Sequence, residues 1–417
     1  MTQKIIKRAE HTPMNRSVRA VVLSTVALML IFAPSVQAQT PIEYSYQEGE
    51  QYRVISTVDQ NVWLNGLFSH SASILNRISI EVTEVADGRG YHEALFITSE
   101  EARGANEVYS WGEEYESEFW RDTQGFYEIE PIYYMPVVRD VPVFPDRPLE
   151  PGDTWSADGH EVHDFRRSFG IPEPYRFPIP VTYEYMGNTV SEGREYALIS
   201  VAYNVFYRPD RSYPNALYPV RISGYSEQLV YWDIRAGRPH AYEEEYAFVF
   251  ALSSGDEVLY EGTAEARIVE ASRMDREEVA DQVRRDLDEL GFDDQEVVED
   301  ERGVTIRLDN ILFPPDSPVL RDSEKAKLDG IADILARYPE RDILVGGHTA
   351  LAGTEEGRQR LSQQRAAAVA QHLLELGVRE RDQMILRGFG ATQPVADNET
   401  EAGRRRNRRV EITILEN

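Results

Sequence analysis

The hydrophobic pattern of the chain changes its period from two to 3.6 at about Asp275. From Ile42 to about Ile268, apolar and polar residues alternate in short runs that Gly, Pro and Asn interrupt, which is typical of half-buried strands. Beyond Asp275 the apolar residues recur at helical spacing. Because one layer of structure cannot satisfy both periods, the sequence predicts a β-rich module followed by a separately built module.

The front module, residues 39–272, is predicted to be all-β, either a sandwich or a curved antiparallel sheet. Segments 223–233, 242–252 and 258–268 are typical of a closing meander of antiparallel strands. Six prolines between positions 131 and 151 cannot donate to a central ladder, so they predict an extended crossing loop or a sheet edge. One strand face is predicted to be formed by Ala197, Ile199, Val201, Tyr203, Val205 and Tyr207.

Charge is distributed unevenly between the two modules. The chain carries 72 Asp and Glu against 44 Lys and Arg, a formal net charge of -28, yet residues 302–417 hold 18 of each sign. The whole negative excess therefore lies in residues 1–301, and it argues against nucleic acid as a partner because it cannot neutralise phosphates. The absence of cysteine excludes thiol catalysis, disulfides and Cys-type zinc sites.

Residues 1–38 have the composition of a secretory signal peptide. A basic stretch from Lys4 to Arg19 precedes an apolar run from Ala20 to Ala33, which is shorter than the ~20 residues that span a bilayer. Val36 and Ala38 are small enough for cleavage before Gln39. An uncleaved anchor is the alternative. The segment predicts export to the periplasm.

The back of the chain is predicted to be an amphipathic helix and acidic linker, residues 273–301, followed by an α/β domain, residues 302–417. Val279, Val283, Leu287 and Leu290 share one face of the first helix, with Gly291 as its cap. In the domain the order is β-α-β-α-β-β. Ser323 is predicted to cap one helix, with Leu328, Ile331, Leu335 and Tyr338 on one side, and the other helix runs from Thr354 to Leu376 with Gly377 as its cap.

Short motifs in residues 302–417 resemble the C-terminal peptidoglycan-binding domain of the OmpA family. The resemblance covers about 115 residues, and it does not extend to the front module. The motifs that carry it are Leu312-Phe313-Pro314-Pro315-Asp316-Ser317-Pro318-Val319-Leu320, Gly347-His348-Thr349, Gly353, Leu361-Ser362-Gln363-Gln364-Arg365-Ala366, Arg387-Gly388-Phe389-Gly390 and Asn407-Arg408-Arg409-Val410-Glu411-Ile412.

The resemblance implies a site for the diamino acid of the peptidoglycan stem peptide, in which a loop Asp meets the ammonium and an Arg meets the carboxylate. Arg365 matches the family arginine, but Ala350 stands at the Asp position and Arg358 replaces an Asn at the start of the helix. Arg358 and Arg365 are seven residues apart, so they share a helix face near unpaired N–H groups. The alternative is that Arg365 pairs with a nearby acid and only braces the helix. The candidate peptidoglycan-binding residues are Thr349, Ala350, Leu351, Gly353, Arg358 and Arg365.

Three other groups of residues are weaker candidates for a site. His160, Glu161, His163 and Asp164 could hold a divalent metal, but a solvated acidic loop is preferred and no metal or cofactor is predicted. His348 is expected to pack or hydrogen-bond at a strand end. The basic cluster 404–409 could contact phosphate or glycan, with a surface ladder on the last strand as the alternative.

The sequence therefore predicts a non-enzymatic cell-envelope protein in the periplasm, associated with the cell wall and outer membrane. Its OmpA-like domain would dock non-covalently on peptidoglycan and link it to the outer membrane or to periplasmic partners through the β module. The alternative function is a periplasmic carrier of an apolar ligand in the β module, with a structural OmpA-like domain. No motif with a defined catalytic mechanism is present, so an enzyme acting on the wall is least favoured.

Overall fold

The computed structural model of the protein describes residues 41–101, 109–191, 193–214, 216–270, 274–292, 295–300, 302–308, 313 and 317–416. The predicted signal peptide, residues 1–38, lies outside them. The chain divides into two compact units, one formed by the described residues up to Phe96 together with Glu114–Glu270, the other by Ile97–Glu113 and Ala271–Asn417. Within the described ranges, no helix has the length and apolar character needed to span a membrane.

Long antiparallel strands build the front of the chain. The described residues between 51 and 270 form β1 (Gln51–Leu64), β2 (Leu67–Ala86), β3 (Arg89–Glu101), β4 (Tyr109–Arg121), β5 (Tyr127–Ile129), β6 (Val138–Arg139), β7 (Thr154–His163), β8 (Tyr175–Ser191), β9 (Arg194–Tyr207), β10 (Pro219–Asp233), β11 (Arg238–Leu252) and β12 (Glu257–Glu270). Ladders join nine of them in the order β6–β7–β8–β9–β10–β11–β12–β1–β2. The predicted all-β fold and the closing meander are confirmed.

This sheet is strongly curved. Neighbouring strands lie about 4.8 Å apart, so β7 and β11, four strands apart in the ladder, would be separated by about 19 Å on a flat sheet. The ring of His163 at the end of β7 nevertheless lies 6.0 Å from the ring of Phe250 on β11, and Phe165 lies 5.6 Å from Phe250. The sheet therefore curls over its own inner face, which becomes the core.

The inner face is lined by alternate residues of β8 and β9. On β8 every second residue from Tyr175 to Tyr185 is buried. The face predicted on β9 is confirmed, since Ala197, Ile199, Val201, Tyr203 and Val205 are buried and Tyr207 packs half-buried against the same core. Trp232 is completely buried. Among residues 130–153 only β6 is a strand, so the crossing loop predicted from the prolines is also confirmed.

A mixed sheet flanked by helices forms the back of the chain. Its strands are β13 (Glu296–Asp300), β14 (Gly303–Leu308), β15 (Ile343–Gly347), β16 (Met384–Gly388) and β17 (Val410–Leu415), and its helices are α1 (Arg276–Glu289), α2 (Asp322–Leu335), α3 (Glu355–Glu375) and α4 (Glu401–Asn407). A 3₁₀ turn covers Arg381–Gln383. The sheet order is β13–β14–β17–β15–β16, with only β15 and β16 parallel. The predicted β-α-β-α-β-β order is confirmed, with two additions that the sequence did not predict, β13 and α4.

The helix ends follow local sequence signals with two exceptions. Asp275 caps α1 by accepting from the Glu278 N–H at 3.1 Å, and Gly377 ends α3 with a φ of 69°. The predicted cap at Ser323 is wrong, because α2 begins one residue earlier and the Ser323 hydroxyl donates to Glu324 Oε1 at 3.2 Å. Leu290 was expected on the buried face of α1, but it follows the last helical turn and is 42% exposed.

Candidate functional site

The candidate site begins where β15 ends, in the loop His348-Thr349-Ala350. Three backbone hydrogen bonds fix this loop: the His348 N–H donates to the Arg409 carbonyl at 3.0 Å, the Thr349 N–H to the Gly390 carbonyl at 2.7 Å, and the Phe389 N–H to the Gly347 carbonyl at 2.9 Å. The loop is therefore held between the chain segments that follow β16 and precede β17.

Glycine at the end of β15 lets α3 approach the sheet closely. A Cβ at Gly347 would lie 2.0 Å from the Ser362 carbonyl oxygen, and one at Gly388 would lie 2.6 Å from the Gln363 nitrogen. The Ser362 hydroxyl accepts from the Gly390 N–H at 2.9 Å and donates to the Gln359 carbonyl at 2.8 Å. This contact sets the height of α3 above the loop.

The N-terminus of α3 faces the same loop through Gly353 and Thr354. The Thr354 hydroxyl caps the helix by accepting from the Gly357 N–H at 3.1 Å, and Gly353 adopts a φ of 78° that favours glycine. The Arg358 Nη1 donates back to the Gly353 carbonyl at 2.6 Å. The amides of Glu355 and Glu356 find no acceptor among the described residues, as expected of a first helical turn.

Arg365 lies two turns further along α3 and is only 8% exposed. Its Nε donates to the Ser317 carbonyl at 3.3 Å, and its guanidinium lies 5.0 Å from the ring centroid of Phe313. Helical side chains lean toward the helix N-terminus, so Arg365 projects toward the end of α3 that the loop faces. The Ser317 carbonyl and the Phe313 ring thus both contact the buried guanidinium.

The loop residues differ sharply in exposure. Ala350 is 4% exposed and Thr349 is 7% exposed, whereas Leu351 is 60% exposed. The Thr349 Oγ1 is buried with no hydrogen-bond partner among the described residues. The Ala350 methyl offers no polar group at the position where the family resemblance implies a carboxylate.

Two asparagines brace the loop from the opposite side. The Leu351 N–H donates to Asn398 Oδ1 at 3.0 Å, and Asn407 Nδ2 donates to the same Oδ1 at 3.0 Å. Asn407 Oδ1 accepts from the N–H groups of Val395 and Ala396 at 2.8 and 3.0 Å. Sequence analysis missed this bracing, because its partners lie in an irregular loop 9 to 12 residues before Asn407 and no periodic pattern marks them.

A buried charge network lies beneath the loop. Glu411 accepts from Arg409 Nε at 2.8 Å and from Arg307 Nε at 3.1 Å, and its second oxygen lies 3.2 Å from His348 Nε2. Burial alone would raise the pKa of Glu411, but the His348 hydrogen bond and the charge of Arg409 outweigh it and hold that pKa far below its usual range. Burial lowers the pKa of His348, whose ring stacks on Phe389 at 4.8 Å. The expected packing role of His348 is confirmed.

The structure brings together most of the predicted site residues. Thr349, Ala350, Leu351 and Gly353 form one loop, and Arg358 is bonded to that loop through the Gly353 carbonyl. Arg365 contacts a different segment, the one that contains Phe313 and Ser317. That these residues bind peptidoglycan stays a prediction.

The two other polar clusters do not lie where the sequence suggested. His160 to His163 end the strand β7 and do not form a loop, because this segment pairs with Tyr175–Pro178 of β8. No group of three potential metal ligands occurs within the described parts of the chain. The prediction that residues 404–409 form a surface ladder on the last strand is also wrong, because Arg404 to Arg406 lie on α4. Arg404 and Arg408 pair with Glu401, and Arg409 is buried against Glu411.

Comparison with known proteins defines the class of the back domain. Residues 312–408 match the model of the OmpA family, so the chain carries an OmpA family domain at its C-terminal end. This domain contains the loop, α3 and both bracing asparagines.

Curated relatives match the same part of the chain. Outer membrane porin F of Pseudomonas fluorescens is 40% identical over 111 residues, which is 27% of this chain and 33% of the relative. Probable lipoprotein YiaD of Escherichia coli is 38% identical over 105 residues, 25% of this chain and 48% of the relative. Peptidoglycan-binding protein ArfA of Mycobacterium tuberculosis is 36% identical over 104 residues, 25% of this chain and 32% of the relative. The matched segment thus spans between about a third and a half of the length of these relatives.

Proposed function

We propose that this protein is a non-enzymatic envelope protein whose OmpA family domain docks non-covalently on the peptidoglycan layer. The domain would occupy residues 302–417, joined through the segment 273–301 to the acidic β module of residues 39–272. In this arrangement the back domain binds the wall and the β module faces the outer membrane or another envelope protein. The names of the relatives support this proposal, since they include an outer membrane porin, a probable lipoprotein and a peptidoglycan-binding protein.

The placement of Arg365 is the observation that carries the proposal. A stem peptide presents carboxylates, and a guanidinium together with helix N-terminal N–H groups is a strong receptor for a carboxylate. Arg365 is buried with its guanidinium beside the Ser317 carbonyl and the Phe313 ring, and the amides of Glu355 and Glu356 begin the same helix. The unpartnered Thr349 hydroxyl adds a neutral donor or acceptor at the loop.

Ala350 restricts which ligand the site accepts. A methyl group cannot balance an ammonium, so the clamp contributes its carboxylate-binding half only. Arg358 adds a second positive charge beside Gly353. We therefore propose that the preferred ligand is more anionic than the usual stem peptide or lacks its exposed ammonium, and that binding to an ordinary stem peptide is weakened.

Co-sedimentation with isolated sacculi tests the proposal. The purified protein is compared with Arg365→Ala, with Ala350→Asp and with Arg360→Ala, a matched control that removes an exposed arginine from the same helix. Loss of a charge-assisted hydrogen bond costs about 1.5 to 3 kcal/mol, so Arg365→Ala is expected to weaken retention by about tenfold or more. Ala350→Asp should strengthen retention, and Arg360→Ala should leave it unchanged.

Thermal melts of each variant show whether it remains folded. Equal retention of the wild type and of a folded Arg365→Ala variant would refute the assignment of this site. If the wild type is not retained and only Ala350→Asp is, the domain has kept its fold without its wall-binding role, and the proposal fails.

A further inference from the structure

A pocket of about 480 Å³ opens beside the first residues of β8, far along the chain from the OmpA family domain. Its volume falls in the range of small-molecule sites, roughly 300 to 1,000 Å³. Basic and aromatic side chains dominate its lining, including Arg139, His160, Arg176, Tyr175, Tyr207 and Arg211. This concentration of arginine is unusual in a part of the chain that carries the whole negative excess.

Strand register places three of the basic groups on one face. Arg139 on β6 pairs with His160 on β7, and Arg176 on β8 pairs with Val162, two residues beyond His160. Since side chains alternate with period two, Arg139, His160 and Arg176 project to the same side of the sheet. Burial and then repulsion from Arg176 lower the pKa of Arg139 to about 10, and the same two causes lower the pKa of His160.

The charge of this cluster is only partly balanced within the protein. His160 Nδ1 lies 3.4 Å from Asp140 Oδ2, and Asp210 also lines the pocket. Arg139 is 2% exposed and donates only to the backbone carbonyls of Tyr133, Met135 and Pro136, through its Nε and Nη2. Among the described residues its Nη1 makes no hydrogen bond, and Arg176 forms no ion pair. Like charges held together in this way are stabilised by an added anion.

Prolines provide an apolar wall on the same side of the sheet. Pro178 on β8 pairs with His160, so it shares a face with Arg139 and Arg176. Pro131, Pro174 and Pro209 also line the pocket. These rings offer a surface against which the apolar body of a ligand can pack.

We propose that this pocket binds a small organic anion, whose carboxylate or phosphate group is held by Arg139 and Arg176 and whose ring packs against the prolines. The site is independent of wall docking by the OmpA family domain. It also differs from the carrier of a purely apolar ligand that the sequence suggested, because charge recognition at the arginines selects the ligand.

Isothermal titration calorimetry on the full protein tests this site with three probes of similar size: benzoate, phenyl phosphate and the neutral benzamide. At least one anion should bind saturably, and benzamide should bind at least tenfold more weakly. The ratio of the two anions shows whether the site prefers a carboxylate or a phosphate. Raising the salt concentration should weaken the binding of the anions and leave the binding of benzamide unaffected.

Variants separate recognition from folding. Arg176→Gln changes an exposed strand residue and should raise the dissociation constant of the preferred anion about tenfold. Arg235→Gln makes the same charge change at an exposed turn outside the pocket and should leave binding within twofold of the wild type. The inference is overturned if neither anion binds, if benzamide binds as tightly as the anions, or if a folded Arg176→Gln variant binds like the wild type.

Discussion

Replacing Glu411 by glutamine should destabilise the OmpA family domain while preserving the shape of the side chain. Glu411 is 6% exposed and lies within hydrogen-bond distance of Arg409, Arg307 and His348. Arg409 is itself 3% exposed, so the variant leaves a buried guanidinium without its counter-charge. Breaking a buried pair by removing one partner costs about 3 to 5 kcal/mol, and because the amide oxygen can still accept one hydrogen bond we expect about 3 kcal/mol.

The same network predicts how stability depends on pH. The folded pKa of Glu411 lies below the 4.5 of an unperturbed glutamate, so its contribution is fully present above about pH 4.5 and is lost as the pH falls toward the folded value. His348 also makes the folded state less stable as the pH falls below 6.5. Its pKa is lowered in the folded state, so the unfolded imidazole binds the proton more tightly. Glu411→Gln should therefore be less stable than the wild type at pH 6 and lose less of its stability on acidification to pH 3.

Hydrogen–deuterium exchange measured by mass spectrometry reports this domain separately from the β module. At pH 6 the peptides of β14 and β17 should exchange about a hundredfold faster in Glu411→Gln, since each 1.4 kcal/mol is a factor of ten. Glu401→Gln is the matched control, because Glu401 also pairs with two arginines but is exposed, and its exchange should be nearly unchanged. Exchange within threefold of the wild type in Glu411→Gln would refute the reasoning.

Three further variants test other parts of the structure. Burial raises the pKa of Glu244 to about 7, so the contribution of this residue to stability is present below pH 4.5 and lost as the pH rises through 7. In urea unfolding followed by tryptophan fluorescence, Glu244→Gln should therefore raise the midpoint at pH 8 and not at pH 4. Equal effects at the two pH values would contradict this. Gly347→Ala places a Cβ 2.0 Å from the Ser362 carbonyl oxygen, so it should lower the free energy of unfolding by about 3 kcal/mol or prevent folding. A melting temperature equal to that of the wild type would exclude the close contact. Asn407→Ala removes the acceptor of two loop amides, so it should lower the free energy of unfolding by about 2 kcal/mol and speed hydrogen exchange at the Val395 amide. Unchanged exchange at Val395 would show that the bracing is dispensable.

Periodicity was sufficient to predict the elements whose burial is one-sided. The alternation in β9 identified the inner face, and the predicted cap residues Gly291 and Gly377 marked helix ends correctly. A curved antiparallel sheet was one of the two predicted alternatives, but the sequence could not choose it over a sandwich, because the approach of His163 to Phe250 joins strands four apart in the ladder. Ser323 was misassigned because the helix begins at Asp322 after Arg321, whose side chain makes no capping hydrogen bond, so no sequence signal marks this start.

The candidate site was predictable in its residues but not in its contacts. Motifs located Arg365 and the loop 349–353, and the resemblance explained why they belong together. The sequence could not show that Arg365 contacts Phe313 and Ser317, or that Asn398 and Asn407 hold the loop, since these contacts join segments of irregular structure. The pocket at β8 was missed for the same reason, because its basic residues Arg139, His160 and Arg176 come from three strands that only register brings together.

The most direct test of wall docking is a titration of the isotope-labelled protein with a soluble stem peptide that contains the diamino acid, followed by backbone amide chemical shifts. The account predicts saturable shifts confined to residues 349–353 and the first turn of α3, which Arg365→Ala abolishes without changing the rest of the spectrum. Shifts elsewhere in the chain, or none at millimolar peptide, would contradict it.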